Sequence, residues 1–194
     1  GSLTAHPPMI VFDLDGTLID SSRDLAEAAS ELVQELGGAP LTETEVVGMV
    51  GDGAAVLVAR ALSHVGLVPK TPSALARFLE IYDRRLLIHT RPYEGMVDTV
   101  RLLAGRHTLA VLTNKPAAPT RRLLDAFELS THFRRVVGGD SEWGRKPDPA
   151  GLQALMREFG AAPASTVMVG DSMIDVETAR RAGVLMCVAL YGFG

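Results

Sequence analysis

Five short runs of the chain are apolar without the alternation of a half-exposed strand: Met9 to Phe12, Leu109 to Leu112, Arg135 to Val137, Thr166 to Val169 and Leu185 to Ala189. Continuous β-branched and aliphatic runs of this length suit strands covered on both faces, as in a parallel sheet. Between the later runs the spacing changes to i, i+3, i+4, i+7, in Thr120, Leu123, Leu124, Phe127 and again in Leu152, Leu155, Met156, Phe159. That is the stripe of an amphipathic helix. Strand and helix alternate, which predicts an α/β fold with a doubly wound, mainly parallel sheet.

Between the first run and the second the rhythm breaks. Helical spacing recurs there in Leu25, Ala28, Ala29, Leu32, Leu36 and in Leu75, Phe78, Leu79, Tyr82, Leu86. A third helix is expected to start near Asp52 and to carry Leu57, Val58, Ala61, Leu62 and Val65. Residues 20–90 are therefore expected to form a small helical cap, inserted into a core built from 3–19 and 91–194. Arg91-Pro92 closes the insertion, because proline restricts the backbone before it. Neither an internal repeat nor a low-complexity stretch is present.

Composition narrows the classes. With 194 residues, 47% hydrophobic and 22% charged, the chain can bury a full core. Its net charge of −4 and pI near 5.7 provide no general attraction to nucleic acid or anionic lipid, and no run of Lys and Arg compensates. The lone Cys187 lies in an apolar run and reads as a small buried hydrophobe in a reducing compartment. No apolar stretch is long enough to span a bilayer and the start lacks a signal pattern, so a cytoplasmic location is expected. Gly1-Ser2 looks like a remnant of tag removal and is set aside.

The first apolar run leads directly into Asp13-Leu14-Asp15-Gly16-Thr17. In an α/β sheet, ligands bind outside the carboxyl ends of the strands, so both carboxylates leave the sheet where a substrate would sit. Gly16 lets the backbone turn sharply, and Thr17 can fix the loop with its hydroxyl. Alone, the pattern also describes an acidic strand end followed by a turn. The second run ends in Thr113-Asn114-Lys115-Pro116, which offers a hydroxyl and an amide to a phosphate or an N-cap to a helix at 117. The loop after the third run holds Arg145-Lys146-Pro147-Asp148-Pro149, whose lysine by itself reads as a solvated charge. The fourth ends in Gly170-Asp171-Ser172-Met173-Ile174-Asp175, which also suits a helix start with an acid in its first turn. Together these elements bring four carboxylates to one region. Such a cluster would repel itself without a cation, and hard oxygen ligands suit Mg²⁺.

Asp13-x-Asp15-Gly16-Thr17, Thr113-Asn114, Lys146 and Gly170-Asp171-x-x-x-Asp175 resemble the four sequential motifs of the haloacid dehalogenase-like superfamily, over nearly the whole chain. Thr113-Asn114-Lys115-Pro116, Thr90-Arg91-Pro92-Tyr93 and Gly138-Gly139-Asp140 resemble more narrowly its phosphoglycolate phosphatase branch, with a helical cap after the first motif. Relatives continue past Tyr191-Gly192-Phe193-Gly194 into a further strand and helix, so a truncated end or a disordered tail is expected. The resemblance implies that Asp13 attacks phosphorus and that Asp15 serves as acid and then base. It implies Mg²⁺ on the side chains of Asp13 and Asp171 and the carbonyl of Asp15, with Asp175 orienting metal-bound water or Lys146. Thr113, Asn114 and Lys146 would hold the transferred group. The implied partner is a small phosphorylated metabolite.

Asp15 separates this reading from dehalogenases, which need no acid there, and from phosphonate hydrolases, which generally carry alanine. A sugar phosphomutase remains an alternative, as does, from another class, a receiver-type signalling domain, although a receiver needs no cap. The five histidines, His6, His64, His89, His107 and His132, show no metal-ligand spacing. Trp143 reads as a packing anchor more than a substrate contact. Within the insertion, Val47-Gly48-Met49-Val50-Gly51-Asp52-Gly53 is the most glycine-dense stretch. It is either a flexible turn with Asp52 as N-cap or a loop, with Gly51 and Gly53 close to the ligand, whose helix-start amides meet a substrate carboxylate.

Overall fold

The structure, a computed structural model, describes residues 8–68 and 72–194. His6 and the beginning of the expected core range lie outside them. In chain order the elements are β1 (Met9–Phe12), β2 (Ile19–Asp20), α1 (Ser22–Glu35), α2 (Glu43–Val47), α3 (Ala54–His64), α4 (Ser73–Arg85), β3 (Arg91–Pro92), α5 (Met96–Ala104), β4 (Thr108–Leu112), α6 (Ala117–Ala126), β5 (Arg135–Val137), α7 (Ala150–Phe159), β6 (Thr166–Gly170), α8 (Met173–Ala182) and β7 (Leu185–Val188). The fold is α/β, as the alternation predicts. Five strands form one parallel sheet in the order β5-β4-β1-β6-β7.

The first strand of the chain is thus the middle strand of the sheet. Val11 pairs with Ala110 of β4 on one side and Met168 of β6 on the other. The chain runs outward through β4 and β5, then returns to the other side of β1. Residues leaving β1 therefore enter the crevice where strand order reverses, the usual ligand position in such sheets.

Side chains alternate across the sheet and bury both faces. Phe12, Leu109 and Val111 join one apolar cluster, which continues without interruption into Leu32, Leu62 and Phe78 of the inserted helices. Met9, Val11, Ala110 and Leu112 join a second with Leu152, Leu155 and Met156 of α7, against which Trp143 packs. A fully buried Leu or Phe side chain contributes about 1.5–3 kcal/mol, so apolar contact binds the insertion to the sheet independently of the connecting chain.

The four helices α1–α4 lie between β2 and β3, which pair antiparallel through Ile19 with Pro92 and Asp20 with Arg91. A buried carboxylate fastens this junction. Asp24 of α1 accepts hydrogen bonds from the amides of His89 (2.9 Å) and Thr90 (2.8 Å) and from Thr90 Oγ1 (2.7 Å). A charge can remain buried where donors replace its water in this way.

Three expectations need correction. The last apolar run is not covered on both faces: β7 is an edge strand, and Leu185 is 57% and Val188 46% exposed. Cys187 is exposed rather than buried for the same reason. The third inserted helix begins at Ala54 with Gly53 as its N-cap, while Asp52 pairs with Arg60 at 2.6 Å instead of capping. The periodicity also passed over α2 and α5. No helix among the described residues is long and apolar enough to cross a membrane.

Candidate active site

The carboxyl ends of β1, β4 and β6 carry Asp13, Thr113 and Asp171 to the same edge of the sheet. Asp13 N extends the ladder by donating to Val169 O at 2.9 Å, and Thr113 N donates to Val137 O at 3.0 Å. After Asp13 the chain turns at once, with the amides of Thr17, Leu18 and Ile19 all directed to Leu14 O. Gly16 has φ +82°, and a Cβ there would lie 2.2 Å from Asp171 Oδ2. Only glycine fits that place, for conformation and for space. The Thr17 hydroxyl donates to Asp171 Oδ1 at 3.2 Å.

Asp13, Asp171 and Asp175 bring carboxylate oxygens within 4.8 Å of one another. Lys146, buried, donates from Nζ to Asp13 Oδ1 at 3.0 Å and to Asp175 Oδ1 at 2.6 Å. Three carboxylates face one ammonium. Burial and the neighbouring Asp175 push the Asp13 carboxyl well above its usual range; Lys146 opposes this, and Asp171 and Asp15 add to it. Burial would lower Lys146, but Asp13 and Asp175 outweigh it and push it up.

The partners differ in how much capacity they have left. Asp175 Oδ2 already accepts from Asp171 N, Ser172 N and Ser172 Oγ, so Asp175 ties the β6–α8 turn to Lys146. Asp171 Oδ2 accepts from Phe193 N at 2.8 Å. Asp13 Oδ2 has no hydrogen-bond partner among the described residues, nor has the carbonyl of Asp15. An all-oxygen donor set with surplus negative charge and free oxygens fits a hard divalent cation. Asp24, Glu27 and His89 also lie close together, yet the Asp24 oxygens are taken up by the junction described above.

Asp15 stands beside this cluster. Its Oδ1 accepts from Ser21 Oγ at 2.5 Å and from Lys115 Nζ at 2.9 Å. Lys115 also donates to the hydroxyl of Tyr82, from α4, at 2.5 Å and lies 4.6 Å from its ring centroid. Burial pushes the Tyr82 phenol up to about 12, with Lys115 opposing. Neither Lys115 nor Tyr82 stood out in the sequence. The only signal was that Lys115 adjoins Thr113 and Asn114 at a strand end.

Asn114 is committed to backbone. Its Nδ2 donates to Gly51 O (2.9 Å) and Lys146 O (3.0 Å), and its Oδ1 accepts from Lys146 N (2.8 Å). The amide thus brackets the Lys146 loop and the inserted loop together. Thr113 is buried, and its Oγ1 accepts from Lys115 N at 3.1 Å. These groups surround a cavity of about 160 Å³, with Asp13, Asp15, Thr113 and Asp171 at its polar end. Gly51 and Gly53 of the α2–α3 loop line it from the insertion, with Leu57, Phe78 and Tyr82 of its helices.

Comparison with known proteins points the same way. Residues 10–189 match the family model for haloacid dehalogenase-like hydrolases. The chain is 43% identical to a phosphoglycolate phosphatase of Rhodospirillum rubrum, across 96% of this chain and 81% of that one. It is 40% identical to phosphoglycolate phosphatase 1 of Pseudomonas aeruginosa, across 98% and 72%. A crystal structure of a predicted phosphoglycolate phosphatase from Haemophilus somnus superposes with a TM-score of 0.88 at 31% identity, covering 97% of this chain and 88% of that one.

Proposed function

The chain belongs to the haloacid dehalogenase-like hydrolase family, in its phosphoglycolate phosphatase-like branch, and on that premise we propose that it hydrolyses a small phosphate monoester through an aspartyl-phosphate, with phosphoglycolate as substrate. The observation that carries this reading is Asp13. It sits at the polar end of the cavity, with one carboxylate oxygen held by Lys146 and the other without a hydrogen-bond partner among the described residues.

Asp13 attacks phosphorus, and the ester oxygen leaves with a proton from Asp15. Asp15 then takes a proton from water as that water attacks the acyl phosphate, releasing inorganic phosphate and restoring Asp13. Thr113 Oγ and Lys146 Nζ hold the transferred group, and Asp175 keeps Lys146 in place. Asn114 acts beside them as a bracket for the two loops. The side chains of Asp13 and Asp171 and the Asp15 carbonyl would hold Mg²⁺, which supplies charge compensation for the phosphoryl oxygens.

We assign residues 20–90 as the cap and 3–19 with 91–194 as the core. The β2–β3 ribbon, where the chain leaves and returns, supports that division. The cavity, about 160 Å³, is well below the roughly 300–1,000 Å³ of pockets for drug-sized ligands. It favours a two-carbon ester over a hexose phosphate, hence a phosphatase over a sugar phosphomutase, and a receiver domain has no use for it. Release of inorganic phosphate from a panel of small esters, with Mg²⁺ present or chelated, tests the proposal. No release from any ester in Mg²⁺ would overturn it.

A further inference from the structure

The cavity wall holds a cation that phosphoryl transfer does not use. Among the described residues, Lys115 is the only Lys or Arg lining the cavity. Its ammonium is buried between core and cap, with Asp15 Oδ1 at 2.9 Å and Tyr82 OH at 2.5 Å. An ammonium has three protons to donate. Two are engaged here, and the third has no acceptor among the described residues. The Tyr82 hydroxyl accepts from Lys115, so its own proton likewise lacks an acceptor among them.

Unsatisfied buried donors are costly, so two on adjacent groups mark a place for an acceptor. The rest of the cap wall near them is apolar, in Leu57, Phe78 and Leu79. The inserted loop is already tied down by the core, since the Gly51 and Asp52 carbonyls accept from Asn114 and Arg145. We propose that Lys115 and Tyr82 together bind the substrate's carboxylate, Lys115 as the specificity-determining cation, which makes the preferred substrate a short phosphorylated hydroxy acid. This rests on the phosphatase reading above. Because Tyr82 belongs to α4 and Lys115 to the core, the clamp is complete only with the cap seated.

The test compares phosphoglycolate with 2-hydroxyethyl phosphate, in which a neutral CH₂OH replaces the carboxylate. Binding is measured by calorimetry in the Asp13→Asn background, so that neither ester turns over, and the preference in kcat/KM is measured with Asp13 intact. Lys115→Met is expected to weaken phosphoglycolate by about 10- to 100-fold relative to the neutral ester, the range for a charged hydrogen bond. Tyr82→Phe, which removes only a hydroxyl, is expected to lower the same ratio by about 3- to 10-fold. It also carries the test should Lys115→Met fold poorly. Equal weakening of both esters, or of neither, would overturn the clamp. A wild-type protein that hydrolyses both esters without preference would overturn it too, while leaving the phosphatase reading standing. Selective binding of phosphoglycolate without turnover of any ester would instead support the clamp and sink the phosphatase.

Discussion

Two buried lysines serve the candidate site, Lys146 through the Asp13 carboxylate and Lys115 on the cavity wall, and they are built differently. Lys146 is enclosed by the core: Asp13 follows the end of β1, Asp175 sits in the first turn of α8 just after β6, and Asn114 fixes its backbone. Lys115 spans a boundary, with Asp15 on the core side and Tyr82 on the inserted helices. Around Lys146 the surplus is negative charge and lone pairs. Around Lys115 the surplus is donors. The first arrangement suits a cation and a reaction that must be repeated with fixed geometry, and the second suits an anion whose identity the cap can inspect.

The sharpest way to break the comparison is to remove the nucleophile from the Lys146 side. Asp13→Asn is expected to lower phosphate release by on the order of 10⁴-fold or more, as losses of a nucleophile do. It also relieves repulsion with Asp175 and Asp171, so the melting temperature should not fall by more than a few degrees. Wild-type-like turnover in a folded variant would remove the mechanism. Chelation acts on the same side. EDTA is expected to suppress activity and Mg²⁺ to restore it, whereas Ca²⁺, which accepts more oxygens, inhibits by engaging the Asp13 oxygen needed for attack. Full activity in EDTA would contradict the role given to Asp171.

Asp15 lies between the two lysine environments, and its loss is expected to be smaller. Asp15→Asn should slow turnover by about 10²–10⁴-fold while still forming phosphoenzyme, detectable after acid quench. It also leaves Lys115 without its carboxylate partner. If turnover is unchanged, another group moves the proton.

How much of this could be read from the chain follows the same division. Asp13, Asp15, Thr113, Lys146, Asp171 and Asp175 were legible because each follows an apolar run, and strand ends of one sheet must converge. Lys115 with Tyr82 was not, because Tyr82 occupied a place in an apolar stripe and its partner lies in another segment. Edge and centre strands also look alike in sequence. The run at 185–189 matches the others in composition, and only the sheet order leaves Cys187 exposed. The five-residue α2 is too short to show a period, although Thr42 and Glu45 form the capping box that marks its start.

The smallest expected effect belongs to the inserted loop, and it decides which of two anion sites the carboxylate uses. Gly51 has φ +125°, a conformation that a β-branched residue resists, and a Cβ there would meet nothing closer than Ile174 Cδ1 at 3.9 Å. Gly51→Val therefore acts through backbone strain, on the order of 1–3 kcal/mol, and not through collision. Part of that strain can be relieved by shifting the loop, at the expense of the Asn114 bond to Gly51 O. If Lys115 and Tyr82 hold the carboxylate, the variant should lower kcat/KM for phosphoglycolate and for p-nitrophenyl phosphate together. Their ratio should then change by less than about 3-fold, under the ~1.4 kcal/mol that a tenfold change represents, with Mg²⁺ dependence unaltered. If the amides at the start of α3 hold it instead, the ratio should fall further in Gly51→Val than in Lys115→Met. That ordering would reverse the assignment of specificity to the Lys115 side, because the loop would then be reading the substrate and Lys115 would serve only to hold Asp15.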